Sequence, residues 1–495
     1  MSDDTTRESE ARRHVTECCL IAADVDKTVL AQTSGERSLF LQRVAPQLLD
    51  SAKMGMTLAF VTGNSMAQLT DRFLRWLLDH LCQTDDLSLL SQFHFFCNSG
   101  GVYFHFPEEH DAIARILTEH PTGQAELADR VFRALTDTDR AGATFVRPGF
   151  VDGDYLRRTQ IPPPEVSEIT RVLEECGRDY WVRAAKNRNA LENSYDLSEV
   201  TTGDGLQQPA VDVRPVQYTS RSTSHSATVQ VTLKPLLSFR HGVTADAQGR
   251  LFGNDLRSEV IARVQQQLDA AGLGHCVARP GGWSSIDVTV EKLDKAYAME
   301  FLIDHLNLQG LARRGQRFGA NAIYFGDEVI VGGGNDYAVT RIPGLLVFAV
   351  NADKALIPFR SHVFVPSSVR AGPEATAAVL GELNEIARTS LLSWPKAGRP
   401  GQGRPSGGSA IDRFKIKVFG DRIQAKLEAL RDNNNLTPDQ WQVLHALVTL
   451  MHRDDDSARR WLAVLVDEFN AAVGRLSAPW RPTPGALGTS HPDSG

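Results

Sequence analysis

Two carboxylates one residue apart, Asp24 and Asp26, close the apolar run Cys18-Cys19-Leu20-Ile21-Ala22-Ala23 and lead into Lys27 and Thr28. A short apolar run bounded by polar residues suits a strand buried on both faces of a parallel sheet, and such sheets carry their chemistry at the strand carboxyl ends. Paired acids placed there could hold a metal ion or move a proton. Taken alone, the pair fits an ordinary turn better, because Asp is common in turns.

Other polar residues stand in comparable places. Thr62-Gly63-Asn64-Ser65 tips the apolar run Thr57-Leu58-Ala59-Phe60-Val61, and Asn98-Ser99-Gly100-Gly101 tips Phe93-His94-Phe95-Phe96-Cys97. Asp327 follows Ala322-Ile323-Tyr324-Phe325-Gly326, Lys295 precedes a helix expected over 296–305, and Asp336 ends the glycine-rich segment 332–335. Lys292 competes with Lys295 for a role at that helix start, and Asp336 could also cap a helix beginning near Tyr337. Apolar spacing at Leu39, Leu41, Val44, Leu48 and Leu49, and again over 66–81, predicts helices between the strands. Strands alternating with helices, each strand tipped by polar residues or glycine, predict an α/β fold with a Rossmann-like doubly wound parallel sheet.

The alternation lapses between two core segments, expected at 15–106 and 285–370. The intervening residues 107–284 read as an inserted α+β cap. They hold a helix near 111–119, a break at Pro162-Pro163-Pro164, a polar stretch over 187–226, a half-exposed strand over 228–233 and a helix over 255–271. Ser285-Ile286-Asp287-Val288-Thr289-Val290 reads as the first strand of the resumed core, with Asp287 structural or close to the cap, and a last strand covers 344–350. A helix over 373–392, within segment 371–392, follows; then a basic linker rich in glycine and proline at 393–410 and helices with apolar faces at 411–478. Those last helices could self-associate or bind a protein partner. Segments 1–14 and 479–495 read as disordered.

The chain resembles a haloacid-dehalogenase-like (HAD) superfamily phosphohydrolase with a large cap of the C2 type. Asp24-Val25-Asp26-Lys27-Thr28, Thr62, Lys295 and Gly326-Asp327 with Gly334-Asn335-Asp336 match its four motifs in order. Within that superfamily, Gly281-Gly282-Trp283-Ser284-Ser285-Ile286-Asp287-Val288 and the later Gly333-Gly334-Asn335-Asp336 are similar to sugar-phosphate phosphatases and phosphomannomutases. The resemblance implies that Asp24 is the nucleophile, that Asp26 is the general acid and base, and that Thr62 and Lys295 stabilise the transferring group. It implies Mg2+ held by Asp24, the Asp26 backbone carbonyl and Asp327, with Asp336 bonded directly or through water. Thr28, Gly63, Asn64 and, more weakly, Asn98 become expected phosphate or substrate contacts.

The substrate expected on this basis is a small phosphorylated metabolite such as a sugar phosphate. A phosphomutase and a non-catalytic binding or regulatory module are the alternatives. Relatives usually carry Gly where this chain has Lys27. The arginine pattern by which phosphomannomutases hold a distal phosphate is also not evident; Arg183, Lys186, Arg188, Arg240 and Arg279 are candidates without a matching motif.

Composition fits these expectations. A chain of 495 residues with 42% hydrophobic content can bury a large core in two or three domains, and a net charge of −7 offers no general attraction to nucleic acid or anionic membrane. No apolar stretch nears the roughly 18 residues that span a bilayer, and residues 1–13 carry no apolar signal core. A cytoplasmic location is expected. The six cysteines lack zinc-ligand spacing and read as reduced thiols.

Overall fold

The computed structural model describes residues 20–31, 35–107, 124–140, 142–186, 208–220, 223–236, 255–281, 285–306, 322–329, 335–342, 345–350, 366 and 371–392, with short strand pieces at 195–196, 201–202, 205–206, 238–239, 244–245, 251–252 and 363–364. Residues 1–403 with 407–411 form one compact unit, and the second unit, 404–406 with 412–495, lies outside the described residues. The expectations for the two termini, for a helix near 111–119, for the linker and for the helices after 410 therefore fall outside them as well.

Numbering only the strands of the two principal sheets, β1 is Leu20–Ala23, β2 Thr57–Val61, β3 Phe93–Cys97 and β4 Val102–His105. In the insertion come β5 Ala210–Val213, β6 Val231–Lys234, β7 Cys276–Gly281 and β8 Ser285–Val290. The chain then supplies β9 Ala322–Gly326, β10 Leu346–Ala349 and β11 Val363–Phe364. The larger sheet has the order β11-β10-β9-β1-β2-β3-β4, parallel except for β4, which pairs antiparallel with β3. Residues of β1, β3, β9 and β10 are buried on both faces, as an apolar run without alternation requires. One face packs on helix Lys295–His305 through Met299, Leu302 and Ile303. On the same sheet, Phe60 and Phe95 make ring contacts with Phe73 from the helical run 66–83.

Consecutive strands leave β1 in opposite directions, toward β2 on one side and β9 on the other. That switch opens a crevice at their carboxyl ends. Ala23 pairs with Phe325, and the Asp24 N–H donates to the Phe325 carbonyl at 2.9 Å, so Asp24 and Asp327 leave adjacent strands side by side.

The smaller sheet, β5-β6-β8-β7, is antiparallel and belongs to the cap. Its apolar face meets helices Pro163–Lys186 and Asp255–Ala270 through Ile169, Leu173, Val264 and Leu268. This corrects three expectations. β8 is a cap strand: Ile286 and Val288 enter the cap core, so the core resumes after Val290 and not at residue 285. Pro162-Pro163-Pro164 does not interrupt the cap but opens a 24-residue helix, where proline's missing N–H costs nothing. The strand expected over 228–233 starts at Val231, while Thr228 bridges Ile161 and Val229 packs against Gly101. Helix Pro373–Leu392, expected from the sequence, packs on the larger domain. Asn384 accepts from the Ser51 hydroxyl at 2.7 Å, and Thr376 donates to the Thr28 carbonyl at 2.7 Å.

Candidate active site

A cavity of about 300 Å³ lies between the strand tips of the larger sheet and the polar face of the cap sheet. Its floor includes Asp24, Asp26, Thr62, Gly63, Asn64, Asn98 and Asp327, which distant parts of the sequence bring to one place.

Beneath this floor lies a buried ion network. Lys295 is 0% exposed, and its Nζ stands 3.0 Å from Asp24 Oδ1 and 2.7 Å from Asp336 Oδ1. Asp294 caps the helix by accepting from the Tyr297 N–H at 2.9 Å, which fixes where Lys295 leaves the backbone. Lys292 lies over the Tyr297 ring instead. Asp336 also accepts from the Tyr324 hydroxyl at 2.6 Å and from the Glu328 N–H at 3.0 Å. Its carboxylate approaches Gly326 so closely that a Cβ there would lie 2.6 Å from it, which explains glycine at the end of β9.

Asp336 therefore makes no helix-capping bond and does not line the cavity; it anchors Lys295 from below. One of its oxygens still lies within 4.8 Å of an oxygen from each of Asp24 and Asp327.

Charge at this cluster is unbalanced. Burial pushes the Asp24 carboxyl up to about 7, Lys295 pulls it down, and Asp336 and Asp26 add to the rise. Burial, Glu328 and Asp24 hold Asp327 well above the usual carboxylate range. Burial draws Lys295 downward, but Asp24 and Asp336 outweigh it and leave the ammonium more firmly charged than an ordinary lysine. One ammonium does not offset three converging carboxylates, which leaves the cluster with an excess of negative charge to attract a further cation. Hard oxygen donors around a polar cavity fit Mg2+, with Asp24 and Asp327 facing the cavity and Asp336 behind them.

Asp26 lies apart from that cluster. Asn64 Nδ2 donates to its Oδ2 at 2.8 Å, and Arg72 stands 3.2 Å from Oδ1 while also pairing with Glu36. With its side chain so engaged, the backbone carbonyl is the group Asp26 can lend to a cation. Lys27 has φ 55°, a left-handed conformation that favours glycine. Thr62 is buried and accepts from the Asn64 N–H at 3.1 Å; Ser65, not Thr62, caps the following helix in a reciprocal box with Gln68.

Thr28 departs from expectation. It is fully buried, its hydroxyl has no partner among the described residues, and it does not line the cavity. Its side chain faces into the core because the chain turns after Asp26.

The roof contributes Asp212, Arg214, Gln230, Thr232, Lys234 and Asp287. None of these was singled out as a site residue from sequence, because alternation along β5 and β6 marks which residues face away from the cap core but not what they face. The same holds for Arg72 and Tyr324. Of the five cations proposed for a distal phosphate, Arg279 is committed to Thr289 and to the Leu293 and Glu291 carbonyls. Arg188, Arg240 and the side chains of Arg183 and Lys186 lie outside the description.

Asp24 after β1, Thr62 after β2, Lys295 at a helix start and Asp327 after β9, with a cap inserted ahead of Lys295, form the arrangement that the haloacid-dehalogenase resemblance implies. No family model and no curated protein matches the chain. Among solved structures, the chain is similar to N-terminally truncated Plasmodium falciparum IMP-nucleotidase (14% identity over 74% of this chain and 69% of that one, TM-score 0.38). It is also similar to sucrose-phosphatase from Synechocystis (12%, 74% and 97%, TM-score 0.35) and to a haloacid dehalogenase-like hydrolase from Bacteroides thetaiotaomicron (12%, 74% and 99%, TM-score 0.35).

Proposed function

We propose that the chain is a Mg2+-dependent phosphoric monoester hydrolase acting on a small phosphorylated metabolite, such as a sugar phosphate, through an aspartyl-phosphate. The observation that carries this reading is the buried Asp24–Lys295–Asp336 network opening onto the cavity beside Asp327. It joins a nucleophile to a fixed positive charge, which phosphoryl transfer needs more than any other covalent machinery.

An oxygen of Asp24 attacks phosphorus, and the bond to the leaving oxygen breaks. That oxygen takes its electron pair and receives a proton from Asp26. Water then gives a proton to Asp26 as it attacks the acyl phosphate, and Asp24 departs as a carboxylate with inorganic phosphate released. Lys295 favours the ionised form of Asp24 against the effect of burial and offsets charge on the transferring group, and Thr62 supports that group by hydrogen bonding. Asn64 and Arg72 keep Asp26 in place at the cavity mouth. Mg2+, held by Asp24, Asp327 and the Asp26 carbonyl with Asp336 behind, would add positive charge on the phosphoryl oxygens. The cap roofs a cavity of about 300 Å³, a size that suits a small substrate.

Phosphate release from a panel of phosphorylated metabolites, with and without Mg2+, tests this reading. Release that requires Mg2+ and disappears in Asp24→Asn is expected. Activity unaltered by that substitution, or no release from any panel member, overturns it.

A further inference from the structure

The cap wall holds a directional hydrogen-bond relay. Gln230 Nε2 donates to Thr232 Oγ1 at 2.9 Å, and the Thr232 hydroxyl donates to Asp287 Oδ1 at 2.8 Å. An ionised carboxylate only accepts, so the Thr232 proton points to Asp287 and the Thr232 oxygen is left to accept. That fixes the Gln230 amide with its nitrogen toward Thr232 and its Oε1 away from it. Gly281 leaves room for the Asp287 carboxylate, with which a Cβ at that position would collide.

Gln230 Oε1 has no hydrogen-bond partner among the described residues, and neither has Asn98 Oδ1 from the opposite, catalytic wall. Gln230 is 9% and Asn98 4% exposed, and both line the cavity. A buried acceptor without a donor is unfavourable, and a ligand that supplies the donor recovers that loss.

The ligand's charge can be read from the same wall. Arg214 lies 2.5 Å and Lys234 3.4 Å from Asp212, so both cations share one carboxylate. With Asp287 added, the described residues of this wall carry two positive and two negative groups, which favours neither a second phosphate nor an ammonium beside them.

We infer that Gln230, oriented by Thr232 and Asp287, is a specificity-determining residue that accepts a hydrogen bond from a neutral hydroxyl on the leaving group, with Asn98 as its counterpart on the core side. This rests on the phosphatase reading and adds to it the residues that select a hydroxyl-bearing leaving group over a plain one.

The test compares kcat/KM for a hexitol phosphate with that for phenyl phosphate, whose leaving group carries no further hydroxyl, in the wild type, Gln230→Leu and Thr232→Val. The ratio is expected to fall on the order of tenfold in Gln230→Leu, the size of one hydrogen bond lost from a closed site. A smaller fall is expected in Thr232→Val, where the amide is free to turn. A general loss of folding or catalysis would lower both rates and leave the ratio in place, so an unaltered ratio overturns the inference.

A second arm is independent of turnover. Calorimetric binding of the hexitol phosphate to Asp24→Asn is expected to weaken when Gln230→Leu is added, and equal affinity overturns the inference. Failure of the wild type to release phosphate from either ester would instead strike the phosphatase reading, while the binding arm still decides the role of Gln230.

Discussion

Replacing Lys295 by Met keeps most of the side-chain volume and removes the positive charge that stands between Asp24 and Asp336. Lys295 and Asp336 are fully buried and Asp24 is 7% exposed, so water cannot take over the role of the ammonium. Breaking a buried ion pair by deleting one partner costs about 3–5 kcal/mol, a large fraction of the roughly 5–15 kcal/mol that holds a domain folded. The deficit has a pH signature. Burial has already raised the Asp24 carboxyl from 3.8 to about 7, and loss of Lys295 raises it further. For an acid whose folded-state pKa lies above its unfolded one, the folded state binds more protons between the two values, so stability is present at low pH and declines as pH rises through that window.

The Met variant should therefore be only modestly weakened near pH 5 and most weakened near pH 8. Mg2+ should restore more stability to the variant than to the wild type, because the cation supplies charge that the variant lacks. Urea unfolding followed by circular dichroism at both pH values, with and without Mg2+, measures all of this. A deficit independent of pH and of Mg2+, or no deficit, would refute the picture of a charge-deficient buried cluster.

Tyr324→Phe removes the 2.6 Å hydrogen bond to Asp336 and nothing else of size; thermal unfolding should show a loss of about 1–2 kcal/mol, with Lys295 still in place. Arg72→Ala frees one oxygen of Asp26 and should lower kcat by roughly tenfold with a smaller effect on KM, read in steady-state assays of phosphate release. His94 is buried, bonded to the Tyr103 hydroxyl at 2.8 Å and lowered to about 3 by burial, with His105 and His305 adding to the effect. The unfolded state then binds more protons between about 6.5 and 3, so stability should fall as pH falls across that window by up to about 5 kcal/mol. Acid melts of His94→Phe should show a shallower decline.

The strands of the larger sheet up to β10 were legible as apolar runs, and their tips as the place for chemistry, because a strand buried on both faces has no polar residue to spare until it ends. Asp24, Thr62, Lys295 and Asp327 followed from that pattern and from the order of the motifs. The sequence could not say which sheet a strand joins. Ser285–Val290 reads the same in core or cap, since burial pattern records that a face is covered and not by what. Nor could it say which way Thr28 points, that Asp336 turns inward to Lys295 and Tyr324, or that Gln230 is locked by a hydroxyl and a carboxylate from elsewhere in the cap. Lys27 belongs to both kinds: its departure from glycine was visible in the sequence, and the left-handed turn that disfavours a side chain there is seen only in the folded loop. Local pattern depends on neighbours a few residues away, whereas the ion network and the cavity roof depend on pairings across hundreds of residues, which only the tertiary fold brings together.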